Sequence, residues 1–328
     1  MIIVTGGAGF IGSNLIKELE ARKNHKLVVC DYLGVEEKWK NIAKRELADI
    51  IKPDVLFDYL NDHAKDVEKI FHMGAISATT ERNADQIVSS NIHLTMKLWN
   101  WCSKNETTLI YASSAATYGD GSSGFSDEDS TDGLAKLRPL NLYGWSKHAV
   151  DRRIAQIVQE QGPQPPHWAG LKFFNVYGPN EYHKKGQLSV VLKNYREISD
   201  TGKALLFRSN CPEYADGEQK RDFVWVGDCV NIALWLSENS GGKGIYNVGT
   251  GKARTFKELA SAVFDSMDLD NNIEFIEMPE VVQKHYQYFT EADISRIRAL
   301  GYRTPTTELE DGIKQYLHDY LMTADPYA

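Results

Sequence analysis

Tyr143 and Lys147 stand four residues apart in Tyr143-Gly144-Trp145-Ser146-Lys147, a spacing that puts both on one face of a helix. A lysine ammonium beside a phenol favours the phenolate and draws the tyrosine pKa towards neutrality, which makes a usable general base. With 16 tyrosines in the chain, about one such pair is expected by chance. Support comes from Tyr111-Ala112-Ser113-Ser114-Ala115-Ala116-Thr117-Tyr118-Gly119, a strand end rich in hydroxyls. Ser114 could hydrogen-bond the same substrate oxygen and steady the charge that develops as a hydride leaves; read alone, these serines equally fit a turn that ends a strand.

Hydride chemistry needs a hydride carrier, and the first residues offer a place for one. Ile2-Ile3-Val4-Thr5-Gly6-Gly7-Ala8-Gly9-Phe10-Ile11-Gly12 reads as strand, glycine turn and helix start. Gly7, Gly9 and Gly12 satisfy G-x-G-x-x-G, and Gly6, Gly9 and Gly12 give a wider spacing of the same kind. Glycine lets the backbone turn tightly and approach a pyrophosphate, whose charge then rests on the helix N-terminus. Asp31 ends the next apolar run, 19 positions after Gly12, where an acidic residue accepts hydrogen bonds from a ribose 2′-hydroxyl. That favours NAD, while Lys38, Lys40 and Lys44 just beyond could offset the repulsion of a 2′-phosphate and favour NADP. Phe71-His72-Met73-Gly74-Ala75 ends a strand in small residues that would pass beneath the cofactor. Asn91, in the helix that follows, either is a helix polar residue or fixes the backbone near the site.

The elements around these residues alternate short apolar runs with amphipathic stretches, as a parallel sheet with crossover helices requires. Strands are expected at Ile2 to Val4, Leu27 to Val29, Val67 to Met73, Thr108 to Ser113 and Leu171 to Asn175. Helices are expected at Ser13 to Arg22, Ile87 to Ser103 and Tyr143 to Gln161, the last stopped by Gly162-Pro163-Gln164-Pro165-Pro166. The fold class is therefore α/β, a doubly wound parallel sheet of Rossmann type over residues 1–176. A smaller substrate-binding lobe is expected over 177–328, with some segments returning to the first domain. The alternation weakens there, and Ser209 to Lys220 is rich in turn residues.

The chain has 328 residues, 42% of them hydrophobic, enough for a sizeable core. A net charge of -8 argues against nucleic acid or a membrane surface as partner, though not against a small anion. Cys30, Cys102, Cys211 and Cys229 are widely separated and read as free thiols in a reducing cytoplasm, with no metal site. No apolar run reaches the roughly 18 residues of a membrane span, and no basic leader precedes the first strand.

Taken together, the glycine turn, Ser114, Tyr143 with Lys147, Phe173-Phe174-Asn175-Val176-Tyr177-Gly178-Pro179 and Lys220-Arg221-Asp222-Phe223-Val224 resemble the nucleotide-sugar epimerase/dehydratase family of extended short-chain dehydrogenases. The resemblance spans most of the chain in the right order. It implies Tyr143 as acid/base, Lys147 on the nicotinamide ribose, Asn175 on the substrate diphosphate and Arg221 neutralising it, although an arginine alone is more often half of an ion pair. Sugar 4,6-dehydratases carry an Asp-Glu pair where this chain has Ala115-Ala116, which argues against dehydration.

Within the family, the chain is most similar to the ADP-L-glycero-D-manno-heptose 6-epimerases of lipopolysaccharide core synthesis. The similar runs are residues 111–119, Ala78-Thr79-Thr80-Glu81, His183-Lys184 and Tyr286-Gln287-Tyr288-Phe289-Thr290. That likeness implies Lys184 as a second acid/base on the opposite face of the sugar. It extends the tightly held NADP site (NAD being the other choice) to Phe10, Ile11, Tyr32, Lys38, Lys52, Ile76, Ser77, Ser90 and Val176. The substrate site it implies adds Gly186, Lys193, Phe207, Arg208, Ser209, Asn210 and Tyr286. It also implies a homo-oligomer, a pentamer in that subfamily. Met73, Ser90 and Lys193 depart from the residues common there, and Lys185 adds a second lysine beside Lys184. As a rival reading, His183-Lys184-Lys185 is a solvated basic loop. Two rival functions stand beside this one: C4 epimerisation of a UDP- or other NDP-hexose, and a non-catalytic NAD(P) sensor, which would have no need of Ser114, Tyr143 and Lys147 together.

Overall fold

The computed structural model describes residues 1–22, 25–239, 241–283 and 286–328; the side chains of Lys185 and Val281 lie outside the description. Seven strands form the main sheet: β1 (Ile2–Thr5), β2 (Leu27–Cys30), β3 (Asp49–Ile51), β4 (Lys69–His72), β5 (Thr108–Ser114), β6 (Trp168–Phe173) and, much later in the chain, Gly244–Val248. All pair in parallel. Their order is Gly244–Val248, β6, β5, β4, β1, β2, β3, the doubly wound Rossmann arrangement. From β1 the chain moves one way to β2 and β3, and from β4 the other way to β5 and β6. Right-handed crossovers therefore place the two sets of helices on opposite faces. Phe10–Ala21 packs against Val226–Glu238, and Leu142–Gln159 packs against residues 88–93 and 115–118.

The reversal between β1 and β4 opens a crevice at their carboxyl ends, where a ligand of this architecture binds. Gly6 follows β1 with φ of +66°, a backbone region that favours glycine. A Cβ there would lie 2.5 Å from the Gly74 Cα after β4, so neither chain could approach the other with any larger residue. Gly12 is equally constrained, since its Cβ would stand 2.2 Å from the Gly6 carbonyl oxygen.

A second hydrophobic core gathers Tyr177, Val191, Ile198, Leu206, Trp225, Leu259, Phe264, Ile313 and Tyr316. Around it are short strands: β7 (Asn175–Tyr177), β8 (Ala204–Phe207), β9 (Lys220–Arg221) and β10 (Phe223–Trp225), then, after Gly244–Val248 as β11, β12 (Arg254–Thr255) and β13 (Ile273–Ile276). They pair two by two, β7 with β10, β9 with β12 and β8 with β13. Within residues 177–328, β11 and the helix Val226–Glu238 return to the main sheet, contributing Ile232, Leu236 and Ile245 to its core.

Several boundaries differ from the sequence reading. The first helix begins at Phe10, capped by Gly9. The strand expected at Leu171 to Asn175 is two strands: β6 stops at Phe173, the Phe174 N–H bonds across to Val248, and β7 leaves to pair with β10. β3 has no signal in the sequence, being three residues long and exposed at two of them. The helix expected from Ile87 is continuous from Ala84 to Lys104 but widens to a π turn over Val88–His93. No helix among the described residues is long and apolar enough to cross a membrane.

Candidate active site

A cleft of about 400 Å³ fills the crevice, a volume in the range of small-molecule sites. The glycine turn forms its floor, and the helix Phe10–Ala21 points its N-terminus into it with no side-chain cap and no acidic residue in its first turn. Backbone N–H groups in that setting receive an anion such as a pyrophosphate. At one end, Asp31 Oδ2 accepts the Ala8 N–H at 3.0 Å. Its Oδ1 pairs with Lys38 Nζ at 2.6 Å, and that ammonium also donates to the Tyr32 carbonyl at 3.0 Å. The acidic residue and the basic residue weighed against each other in the sequence are thus an ion pair.

Beneath the crevice runs a chain of buried polar groups. Thr95 Oγ1 donates to the Asn91 carbonyl at 2.6 Å, so it accepts from His72 Nε2 at 2.9 Å. His72 Nδ1 is then the acceptor for the Thr5 hydroxyl at 2.6 Å, which leaves a Thr5 lone pair facing the Gly74 N–H at 3.4 Å. Burial, with Lys147 adding, pushes His72 down to about 3, which keeps this tautomer neutral. Asn91 sits in the π turn and clamps residue 76: its Oδ1 accepts the Ile76 N–H at 2.9 Å and its Nδ2 donates to the Ile76 carbonyl at 3.0 Å. The same Nδ2 reaches Ser146 Oγ at 3.0 Å. Of the two readings open for Asn91, fixing the backbone is the one the geometry carries. A π turn adds a residue and so redirects a side chain, which sequence periodicity cannot reveal.

At the other end of the cleft stand Ser114, Tyr143 and Lys147. The helix Leu142–Gln159 starts at the Asn141 cap, whose side chain accepts the Gly144 N–H at 2.8 Å, and this sets Tyr143 in its first turn. Burial raises the Tyr143 phenol above its ordinary value, opposed by a hydrogen bond with Ser114 and reinforced by Asp151. Lys147 Nζ donates to the Ala112 carbonyl at 2.7 Å, and burial lowers it to about 8, against the pull of Asp151. The sequence reading had Lys147 drawing the phenol down. In the folded protein the removal of Tyr143 from water is the largest influence on the phenol and pushes it up. Lys184 also lines the cleft; its ammonium sits 4.9 Å from the centre of the Phe10 ring and is lowered by burial against the pull of Glu181.

Residues 2–249 match the NAD dependent epimerase/dehydratase family. The chain belongs to this family. As a member of the epimerase/dehydratase family it is 47% identical, over the whole of both chains, to the ADP-L-glycero-D-manno-heptose-6-epimerase of Nitratidesulfovibrio vulgaris (strain DP4). It is 45% identical, again end to end, to the enzyme of that name from Fusobacterium nucleatum. Among solved structures, the Helicobacter pylori ADP-L-glycero-D-manno-heptose-6-epimerase superposes with a TM-score of 0.78 at 29% identity, over 96% of this chain and 94% of that one. A nicotinamide cofactor comes with this family membership, and the end-to-end likeness to relatives named as epimerases makes the chain an isomerase.

Of the expected cofactor and catalytic residues, the cleft lining brings together Gly6, Gly9, Phe10, Ile11, Gly12, Asp31, Lys38, Met73, Gly74, Ala75, Ser77, Ser114, Tyr143, Lys147, Val176 and Lys184. Tyr32, Lys52, Ile76, Ser90 and Asn91 lie outside that lining; Tyr32 is exposed and donates its hydroxyl to Asp54 at 2.7 Å. Ala112, Ser113, Phe173, Phe174, His183 and Gln187 also line it. Phe173 and Phe174 had a signal, since they end a strand at the edge where this architecture places ligands; Gln187 had none.

The expected substrate residues divide. Arg221 and Tyr286 line a second cleft of about 740 Å³, with Thr79, Arg82 and Asn141 among its walls. Arg221 is buried, donates to the carbonyls of Lys220 and Gln287, and stacks 5.1 Å from the Tyr286 ring. Among the described residues no carboxylate pairs with it, so the ion pair that is the ordinary fate of an arginine is not found. Arg208 pairs with Asp216 at 3.0 Å, and the Asn210 N–H donates to the Tyr288 hydroxyl at 3.1 Å, which ties residues 207–210 to the segment carrying Tyr286. Asn175 and Lys193 are exposed, as is Gly186 in the turn after Lys184, and none of them lines either cleft.

Proposed function

We propose that this epimerase/dehydratase interconverts ADP-D-glycero-D-manno-heptose and ADP-L-glycero-D-manno-heptose, by oxidation at C6 to a ketone and return of the hydride to its other face, for lipopolysaccharide core synthesis. The observation that carries the reading is that Tyr143, backed by Ser114, and Lys184 line one cleft. Epimers present their hydroxyls on different sides, and each needs its own proton acceptor. The end-to-end likeness to proteins named for this reaction supports the choice of sugar.

The cleft residues fit a dinucleotide: Gly6, Gly9, Gly12 and Gly74 present backbone without side chains to the cleft, and the uncapped helix N-terminus suits its pyrophosphate. Bound there, the nicotinamide would take the C6 hydride and give it back. We assign NADP rather than NAD, because Lys38 neutralises Asp31 and so removes the repulsion that a lone carboxylate would exert on a 2′-phosphate. Lys147 would hold the nicotinamide ribose.

Burial lowers Lys184 against the pull of Glu181, which favours the neutral amine, and in that form it accepts a proton from the C6 hydroxyl of one epimer. Tyr143, raised by burial, holds its proton and supplies it to the ketone oxygen after that oxygen has turned, with Ser114 steadying the charge. The turnover leaves Lys184 protonated and Tyr143 ionised, so a proton passes back from Lys184 to Tyr143 through solvent before the next one; in the reverse direction the two exchange roles. The buried Arg221, which has no carboxylate partner among the described residues, would with Tyr286 receive the nucleotide diphosphate, with Asn175, Gly186, Lys193 and residues 207–210 closing around it.

The test is a Tyr143→Phe, Lys184→Met double variant incubated with ADP-D-glycero-D-manno-heptose, the C6 configuration being followed by proton NMR. Epimerisation should vanish while cofactor stays with the purified protein. Substantial turnover by the double variant would remove the pair from the mechanism; an unreactive wild type, even with NADP and NAD supplied, would remove the heptose.

A further inference from the structure

Two asparagines outside the proposed reaction lie between the cofactor turn and the Lys184 loop. Asn180 is fully buried and has φ of +72°, a left-handed conformation that asparagine adopts more readily than most residues. Its Nδ2 donates to Ser13 Oγ at 3.0 Å and reaches the Asn41 carbonyl at 3.4 Å. Its Oδ1 accepts the Ala328 N–H at 3.0 Å. Asn41 is buried too. Its Nδ2 donates to the Ala8 carbonyl at 2.9 Å and the Asn180 carbonyl at 3.0 Å, with His183 Nδ1 at 3.1 Å.

Each partner belongs to a different part of the site. Ala8 is in the glycine turn, and Asn41 ends the segment that carries Lys38. Ser13 is in the helix that Phe10 opens, against whose ring the Lys184 ammonium rests. Asn180 lies four residues before Lys184, whose own N–H bonds back to the Glu181 carbonyl at 3.0 Å, so the turn that leaves Asn180 carries the lysine. An apolar pair of the same volume would fill this space and fix no direction. A satisfied buried amide network specifies one arrangement.

We propose that Asn41 and Asn180 are positioning residues that hold the dinucleotide turn and the Lys184 loop in fixed register, so that proton transfer by Lys184 depends on them. This rests on the reading of Lys184 as the second acid/base.

Asn180→Gly removes the amide while leaving φ of +72° free of strain. It should be measured in the intact, cofactor-containing enzyme, alone and combined with Lys184→Met or with Tyr143→Phe. Misplacing a reacting group by about 1 Å costs up to roughly 100-fold, so kcat should fall by about 10- to 100-fold with little change in KM. Added to Lys184→Met, the same change should slow the enzyme no further, while on Tyr143→Phe it should exert its full effect, a pattern that general loosening of the fold does not produce. Wild-type kcat for Asn180→Gly, or losses that multiply with Lys184→Met, would overturn the inference alone. A wild-type rate for Lys184→Met by itself would instead overturn the acid/base reading on which it rests. Should Asn180→Gly not fold, Asn41→Ala is put through the same cycle and judged by the same outcomes.

Discussion

Replacing Lys147 with methionine should make the protein more stable while removing its activity. Burial lowers this lysine from 10.5 to about 8. Each tenfold change in proton affinity is worth about 1.36 kcal/mol, so the folded state disfavours the ammonium by roughly 3 kcal/mol at pH 7, where the unfolded chain holds it protonated. Methionine removes that penalty but forfeits the 2.7 Å bond to the Ala112 carbonyl, worth about 1–3 kcal/mol when its donor is charged. A net gain of about 0–2 kcal/mol follows, which in a chain of this size is a rise of up to a few degrees in Tm. The pH dependence carries the sign. Between about 8 and 10.5 the unfolded state binds the extra proton, so the wild type gains stability as pH rises through this window. The advantage of the variant should therefore be largest below pH 8 and fade by pH 10.5. Thermal unfolding of cofactor-stripped wild type and Lys147→Met from pH 7 to 10.5 measures this directly. A variant less stable at pH 7, or an advantage that does not change with pH, would refute burial as the origin of the lysine's low affinity for its proton.

Lys38→Ala leaves Asp31 without its partner and should shift cofactor preference from NADP towards NAD by about tenfold or more, the worth of one charge-assisted contact; titration of both dinucleotides into stripped protein gives the ratio, and an unchanged ratio refutes it. Asp222→Asn should cost about 2–5 kcal/mol, because Asp222 accepts from the Thr250 N–H and hydroxyl at 2.8 Å each, the Gly251 N–H at 2.9 Å and the Ala292 N–H at 3.0 Å. An amide NH₂ must face at least one of those donors, and a urea midpoint equal to wild type would contradict that count.

What could be read in the sequence was local. The glycine turn, Asp31, the hydroxyl run and the Tyr143/Lys147 spacing each declare their chemistry within a few residues, and the structure brings all of them to one crevice because alternating strands and helices leave few ways to fold. Contacts made by distant segments carried no such mark. Nothing near Asn41 announces Asn180, and nothing in the 87–103 periodicity announces the π turn that aims Asn91 at Ile76. The direction of the Tyr143 shift was misjudged for the same reason: proximity of charge is visible in a motif, whereas removal from water is a property of everything packed around it. One tertiary feature did leave a trace. Lys172 is a cation inside the apolar run Trp168 to Phe174, and such a residue is buried only with a partner.

That partner explains how the site tolerates its lysine. Lys172 Nζ lies 3.6 Å from Asp151 Oδ2 and donates to Thr117 Oγ1 at 2.9 Å. Asp151 also accepts from the hydroxyls of Tyr111 at 3.1 Å and Ser113 at 2.7 Å, two residues on one face of β5. Asp151 is four residues beyond Lys147, and so lies one turn along on the same side of the helix. Its buried charge raises both Lys147 and Tyr143. It therefore opposes the loss of the Lys147 ammonium and helps keep the phenol protonated, as a proton donor to a ketone must be. Removing Lys172 would leave that carboxylate short of positive charge, and its own burial already raises it. Burial sets the direction of both shifts, and Asp151, held by Lys172, Tyr111 and Ser113, adds to the rise at Tyr143 and opposes the fall at Lys147, although no motif of the active site includes that carboxylate or its lysine.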